Sequence, residues 1–117
     1  MTGSNSLREA LARAHVLLEE GQGFEAHEIL EPHWLAASGI PRRWLQGVIQ
    51  FAASTHHLER GRVAAAESLA LRAAEQLRDG PEDWLGFPLA TLARQAADRA
   101  ARRADAAAGD RPKPARR

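Results

Sequence analysis

The chain has 117 residues, which is enough for one domain with one hydrophobic core. Hydrophobic residues make up 44% and charged residues 26%, as in a folded globular protein, and no apolar run reaches the roughly 18 to 20 residues of a membrane span. The net charge of +1 and the lack of cysteine exclude a strongly basic nucleic-acid-binding body, disulfides and Cys-based metal sites. Residues 1–5 lack a secretory signal, so we expect a cytoplasmic protein.

The first predicted helix begins at Ser6. Ser6 and Glu9 fit the S-x-x-E capping box, in which each side chain bonds the backbone amide of the other residue. Apolar residues follow at steps of four, three and four, which places them on one face of a helix: Leu7, Leu11, Ala14 and Leu18. Gly21 and Gly23 are expected to end this helix.

The second predicted helix runs from Phe24 to Ser38 and contains Pro32. A proline inside a helix removes one amide donor and crowds the carbonyl group four residues back, here that of Glu28. We therefore expect a kink or a break between Ala26 and Glu31.

The third predicted helix, from Pro41 to Arg60, carries large apolar residues around much of its circumference: Leu45, Val48, Ile49, Phe51, Ala52 and Leu58. A helix with this pattern is covered on several sides, so we expect it at the centre of the fold. Gly47 costs helix stability relative to alanine, which predicts a close contact with a neighbouring helix at that point.

The fourth predicted helix runs from Arg62 to Arg78, and its small residues favour a tight antiparallel hairpin with the third helix through the turn at Gly61. Residues 82–88 lack a helical period, and we interpret them as an ordered loop that folds its aromatic residues over the bundle. A fifth helix is predicted from Leu89 to Ala107.

These elements predict an all-α fold, a single compact bundle of about five helices with a central apolar third helix. The bundle domain is expected to cover residues 5–107. Residues 108–117 contain two prolines and no large apolar residue, which predicts a disordered basic tail. A short basic tail is a weak nucleic-acid footprint, so we do not expect nucleic-acid binding, nor binding to a membrane.

Polar residues interrupt the apolar pattern of the second and third helices. His27 and Glu31 lie four residues apart and so share one helix face, with Glu28 beside them. On the third helix Gln46, Gln50 and His57 fall at about 0°, 40° and 20° around the axis. An unpaired buried amide or imidazole costs about 1 to 3 kcal/mol. We therefore expect these groups to pair across the interface in a polar seam formed by His27, Glu28, Glu31, Gln46, Gln50 and His57.

Two segments carry a family resemblance, residues 24–34 with F-x-x-H-E-x-x-E-x-x-W and residues 45–52 with L-Q-G-x-I-Q-x-A. They resemble the signatures of bacterial and archaeal proteins grouped as the domain of unknown function 309, and the resemblance extends over about residues 7–92. It implies an all-helical fold without an established activity. It also implies a suspected metal-binding motif, which falls on His27 and Glu31 with Trp34 nearby.

One hypothesis is therefore a metal-binding protein or a metal-dependent hydrolase. His27 and Glu31 would bind from one helix and His57 from the other, with Glu28 as an extra ligand or base. Nitrogen and carboxylate donors suit zinc, iron or manganese. However, the sequence lacks the H-E-x-x-H pair of zinc peptidases and the doubled Glu-x-x-His of di-iron bundles.

The hypothesis we favour is a structural or interaction module, in which the polar seam fixes the packing of the two helices and no catalysis occurs. The helical hairpin with its glycine turn and small residues resembles those of helical repeats, although one hairpin alone forms no repeat array. This hypothesis predicts a protein partner or a homo-oligomer.

Overall fold

The computed structural model describes the backbone of residues 3–110 and the side chains of residues 6–102. The described chain forms five helices and one short β-hairpin: α1 (Gly3–Glu19), α2 (Gly23–Ala36), α3 (Gly39–Glu59), α4 (Val63–Leu77), β1 (Asp83–Trp84), β2 (Phe87–Pro88) and α5 (Leu89–Asp110). The predicted all-α fold with a central third helix is confirmed. None of the helices within residues 3–110 combines the length and the apolar character needed to cross a bilayer.

The start of α1 differs from the prediction. The helix already includes Gly3, so Ser6 lies inside it and is not the residue that caps it. The end is as expected, because Gly21 has a φ of 77°, and the amide of Gln22 donates to the carbonyl oxygen of Leu17 at 2.8 Å. This is a Schellman turn, and α3 ends in the same way at Gly61.

The helix α2 continues from Gly23 to Ala36 with Pro32 inside it, so the predicted break does not occur. Pro32 is exposed, whereas Ala26 and Leu30 are completely buried. Burial of these residues in the core therefore outweighs the cost of the proline, about 3 kcal/mol.

The helix α3 packs against α2 on one side and α4 on the other. Leu45 and Val48 are completely buried. A Cβ atom on Gly47 would lie 2.6 Å from Cγ of Leu77 on α4, so only glycine fits without a shift of that leucine. The close contact predicted at Gly47 is therefore present.

The sequence predicts a loop over residues 82–88, but residues 83–88 form an antiparallel hairpin in which Trp84 pairs with Phe87. Leu85 and Gly86 both have positive φ, at 54° and 86°, as a type I′ turn requires. Phe87 is 1% exposed, so the expectation that this segment covers the bundle holds.

The last described helix is longer than the predicted one, which ends at Ala107. The helix α5 extends to Asp110, so residues 108–110 of the predicted tail are helical. Residues 111–117 of that tail lie outside the described part of the chain.

Candidate binding cleft

The helices α2 and α3 run antiparallel, as contacts at their two ends show. At the start of α2, a Cβ atom on Gly23 would overlap the carbonyl oxygen of Ala52. Near its end, the Trp34 ring lies 4.3 Å below the guanidinium carbon of Arg42. Between these two contacts the residue numbers rise along α2 and fall along α3, so the middle of α2 faces the middle of α3.

The middle of this interface holds a cleft of about 220 Å³, which we call the α2–α3 cleft. Its lining consists mainly of residues from the predicted site: His27, Glu31, Trp34, Gln46, Ile49 and Gln50. The two helix faces thus meet as their spacing predicts. Glu28, predicted beside them, is exposed and does not line the cleft.

The side chains of the cleft do not satisfy one another's hydrogen bonds. Nε1 of Trp34 and Oε1 of Gln50 are both buried, and neither has a hydrogen-bond partner. The predicted seam pairs Gln50 with polar groups of α2, so for the side-chain oxygen of Gln50 this prediction is corrected. Trp34 and Gln50 both line the cleft, and each has a buried polar atom without a hydrogen-bond partner.

His57 lies away from the cleft, although its angle around α3 matches that of Gln50. Seven residues separate the two, which is about 10 Å along a helix axis. This distance places His57 beyond the first turn of α2, near Gly23 and the turn that precedes it. Its ring lies 5.9 Å from that of His56, and its Nδ1 atom is buried without a partner.

The donors in the cleft do not match the suspected metal centre. Within residues 6–102 no three His, Asp or Glu side chains lie close enough together to hold a metal ion. His27 and Glu31 supply two donors from one helix, and His57 is too far along α3 to supply the third. Transition-metal sites in proteins normally use three or four protein ligands, so we derive no chemistry through a metal here.

Two arginines at the start of α3 contact different neighbours. Arg42 stacks on Trp34, while Arg43 binds Asp79 through two hydrogen bonds of 2.6 and 2.8 Å. Arg43, followed by the indole of Trp44, holds the pKa of Asp79 at about 2. Asp79 could not be predicted from the sequence, because it lies 36 residues from Arg43 and no spacing rule connects the two.

Comparison with known proteins gives a family and shows similarity to a solved structure. The family model of the domain of unknown function 309 matches residues 11–69, which include every residue lining the α2–α3 cleft. The fold is similar to the crystal structure of a conserved hypothetical protein from Thermus thermophilus, with a TM-score of 0.66 and 34% sequence identity. That match covers 77% of this chain and 94% of the other. No curated protein matches the chain.

Proposed function

Since the chain belongs to the family of the domain of unknown function 309, we propose that it is a helical interaction module that binds a protein partner in the α2–α3 cleft. The group bound in the cleft is a side-chain carboxamide, from an asparagine or glutamine of the partner. This proposal replaces a purely structural role for the polar residues with a role in recognition.

The unpaired polar atoms of Trp34 and Gln50 carry the proposal. An indole N–H can only donate and a carboxamide oxygen can only accept. A carboxamide provides the complement of both, because its oxygen accepts from Trp34 and its NH₂ group donates to Gln50. Each buried group left unpaired costs about 1 to 3 kcal/mol, and binding would recover this free energy.

The size of the cleft and its surroundings favour a protein over a free small molecule. Small-molecule sites usually enclose about 300 to 1,000 Å³, whereas this cleft measures about 220 Å³. Near Trp34, at the end of α2 and the start of α3, Leu35 is 62% and Ile40 52% exposed. These side chains offer apolar contact area to a partner whose carboxamide enters the cleft.

The proposal can be tested by nuclear magnetic resonance on the ¹⁵N-labelled full chain, with N-acetyl-glutamine methylamide as the probe. We expect the indole N–H resonance of Trp34 to shift on titration. The indole of Trp44, which donates to Asp79 at 3.1 Å, serves as an internal control and should stay in place. N-acetyl-norleucine methylamide, which has the same backbone without the carboxamide, should leave the Trp34 resonance unchanged.

Variants make the test specific. Gln50→Leu should abolish the Trp34 shift, while Gln22→Leu, at an exposed position in the turn before α2, should preserve it. Equal shifts with the glutamine and norleucine probes would contradict the proposal, as would an unmoved Trp34 resonance at saturating probe. If the Trp34 resonance moves with protein concentration alone, a second copy of this chain is the partner.

A further inference from the structure

A second and larger cavity lies on another side of α3. It measures about 440 Å³ and is enclosed by α1, α3, the end of the β-hairpin and α5. We call it the α1–α5 cavity. Its ionisable and polar lining includes His15, Glu19, Thr55, Glu59 and Arg99, and Phe51 lies beneath the guanidinium group of Arg99. The proposed interaction at the α2–α3 cleft uses none of these residues.

Arg99 is the distinctive group of this cavity. Its guanidinium carbon lies 4.3 Å from the centroid of the Phe51 ring. Its Nη1 atom donates to the hydroxyl oxygens of Ser54 at 2.9 Å and Thr55 at 3.1 Å. Among residues 6–102 no carboxylate pairs with it, and its Nε and Nη2 donors have no partner there.

The environment of Arg99 favours an anionic ligand. Partial burial lowers the pKa of Arg99, with a smaller contribution from the nearby charge of Arg102. The guanidinium nevertheless stays charged, because the arginine side chain does not lose its proton in proteins. The aromatic ring and the two hydroxyls fix its plane, and a fixed guanidinium with free N–H donors is the usual receptor for a carboxylate.

The lining of the cavity also carries negative charge. Glu59 lies four residues after Thr55 on α3, about 6 Å further along the helix, and its carboxylate rests against Gly21. Glu19 also lines the cavity and pairs with His15 at 3.2 Å. A cavity lined by two carboxylates as well as a guanidinium disfavours a multiply charged anion such as phosphate, and it favours a ligand that also has a positive charge.

We propose that the α1–α5 cavity binds a free α-amino acid with an apolar side chain. Arg99 receives the carboxylate and Glu59 receives the ammonium group. Leu18, Leu58 and Leu92 line the same cavity and provide contacts for the apolar side chain. The volume of about 440 Å³ lies within the range of small-molecule sites.

The first experiment varies the ligand and leaves the protein unchanged. Isothermal titration calorimetry on the full chain would compare L-leucine with L-leucinamide, which lacks the carboxylate, and N-acetyl-L-leucine, which lacks the ammonium group. We expect each analogue to bind at least tenfold more weakly than leucine, a difference of about 1.4 kcal/mol. Absence of binding by leucine, methionine and phenylalanine would overturn the proposal, as would equal affinity for leucine and both analogues.

The second experiment assigns each charge to its residue. Arg99→Gln should weaken leucine binding at least tenfold without changing the affinity for leucinamide, since leucinamide has no carboxylate to lose. Glu59→Gln should likewise weaken leucine but not N-acetyl-leucine. Loss of affinity for leucine and leucinamide alike in Arg99→Gln would contradict the assignment of the carboxylate to Arg99.

Controls separate this site from a folding defect and from the proposed interaction site. Arg99→Lys keeps the positive charge and should retain measurable leucine binding, while Arg72→Gln, on an exposed face of α4, should bind leucine as the unmodified chain does. Gln50→Leu should also leave leucine affinity unchanged, because Gln50 lines the α2–α3 cleft and does not line the α1–α5 cavity. A leucine affinity reduced equally by Arg99→Gln and Arg72→Gln would show that no specific contact with Arg99 exists.

Discussion

The interfaces of α3 with α4 and with α2 differ in whether a buried polar group has a hydrogen-bond partner. Toward α4, the hydroxyl of Ser54 donates to the carbonyl oxygen of Ala66 at 2.5 Å and accepts from Arg99. Toward α2, the side-chain oxygen of Gln50 has no partner. Both side chains lie on one helix, so the difference comes from what the neighbouring helix offers. A paired polar group stabilises the fold, whereas an unpaired one remains available to a ligand.

The two interfaces also differ in how closely the helices pack. Toward α4, Gly47 lets Leu77 approach closely, and Ala66, Ala70 and Ala73 are completely buried. Toward α2, the helices enclose a space of about 220 Å³. The α3–α4 interface is therefore the more closely packed of the two, and the α2–α3 interface is the one to which we assign the proposed recognition.

The largest predicted effect concerns the close-packed interface. Leu77→Ala removes a side chain that is 1% exposed, and we expect it to lower the free energy of unfolding by about 2 to 5 kcal/mol. Urea denaturation followed by tryptophan fluorescence measures this change. Leu71→Ala, at a position on the same helix that is 51% exposed, is the matched control and should change stability by less than about 0.5 kcal/mol. Similar losses for the two variants would refute the close packing of α3 on α4.

A smaller loss is expected for the paired hydroxyl. Ser54→Ala deprives Arg99 of one of its two hydroxyl acceptors and removes the bond to Ala66. We expect the free energy of unfolding to fall by about 1 to 3 kcal/mol, since the partners remain buried or half-buried. The same urea titration tests this, and an unchanged midpoint would mean that these bonds contribute nothing net.

The opposite sign is expected for the unpaired carboxamide. Gln50→Leu replaces a buried acceptor without a partner by an apolar group of similar length. Stability should stay the same or rise by about 1 kcal/mol, because the desolvation penalty of the carboxamide disappears. A loss of stability comparable to that of Ser54→Ala would favour the structural seam over a binding cleft, and would remove the contrast between the two interfaces.

The smallest effect concerns the exposed pair of Arg43 and Asp79. The pKa of Asp79 is about 2 in the folded chain, below its ordinary value of 3.8, so the pair stabilises the fold above about pH 4. This contribution is lost as the pH falls through 2, where the folded carboxylate becomes protonated.

Asp79→Asn removes this pH dependence. Thermal melts from pH 7 down to pH 2 should therefore show a lower melting temperature for the variant at neutral pH and convergence with the unmodified chain near pH 2. Glu75→Gln, at an exposed position on α4, should show no such convergence. Because the pair is exposed, added salt should also reduce the difference.

Much of the fold follows from residue spacing alone. The apolar residues around α3 predict its central position, and Gly47 predicts the close contact with α4. The four-residue steps from His27 to Glu31 and from Gln46 to Gln50 predict the two faces that meet in the cleft. These features depend on the helical period, which sequence reports directly.

The parts that could not be predicted depend on position along helix axes and on distant pairing. His57 has the right angle for the cleft, but its height on α3 is set by the register with α2, which Gly23 and Ala52 fix in the folded chain. The bond from Arg99 to Ser54 joins residues 45 apart. No local pattern specifies such a contact, so the α1–α5 cavity is visible only in the folded chain.

Gly23, the first residue of α2, packs closely against the backbone at Ala52. Trp34 lies eleven residues further on, about 16 Å from this point along the helix. A change of about 5° in the angle of α2 about Gly23 would therefore move the Trp34 indole by about 1.4 Å, which is half the length of a hydrogen bond. The position of the Trp34 indole is therefore sensitive to the packing of Gly23 against α3.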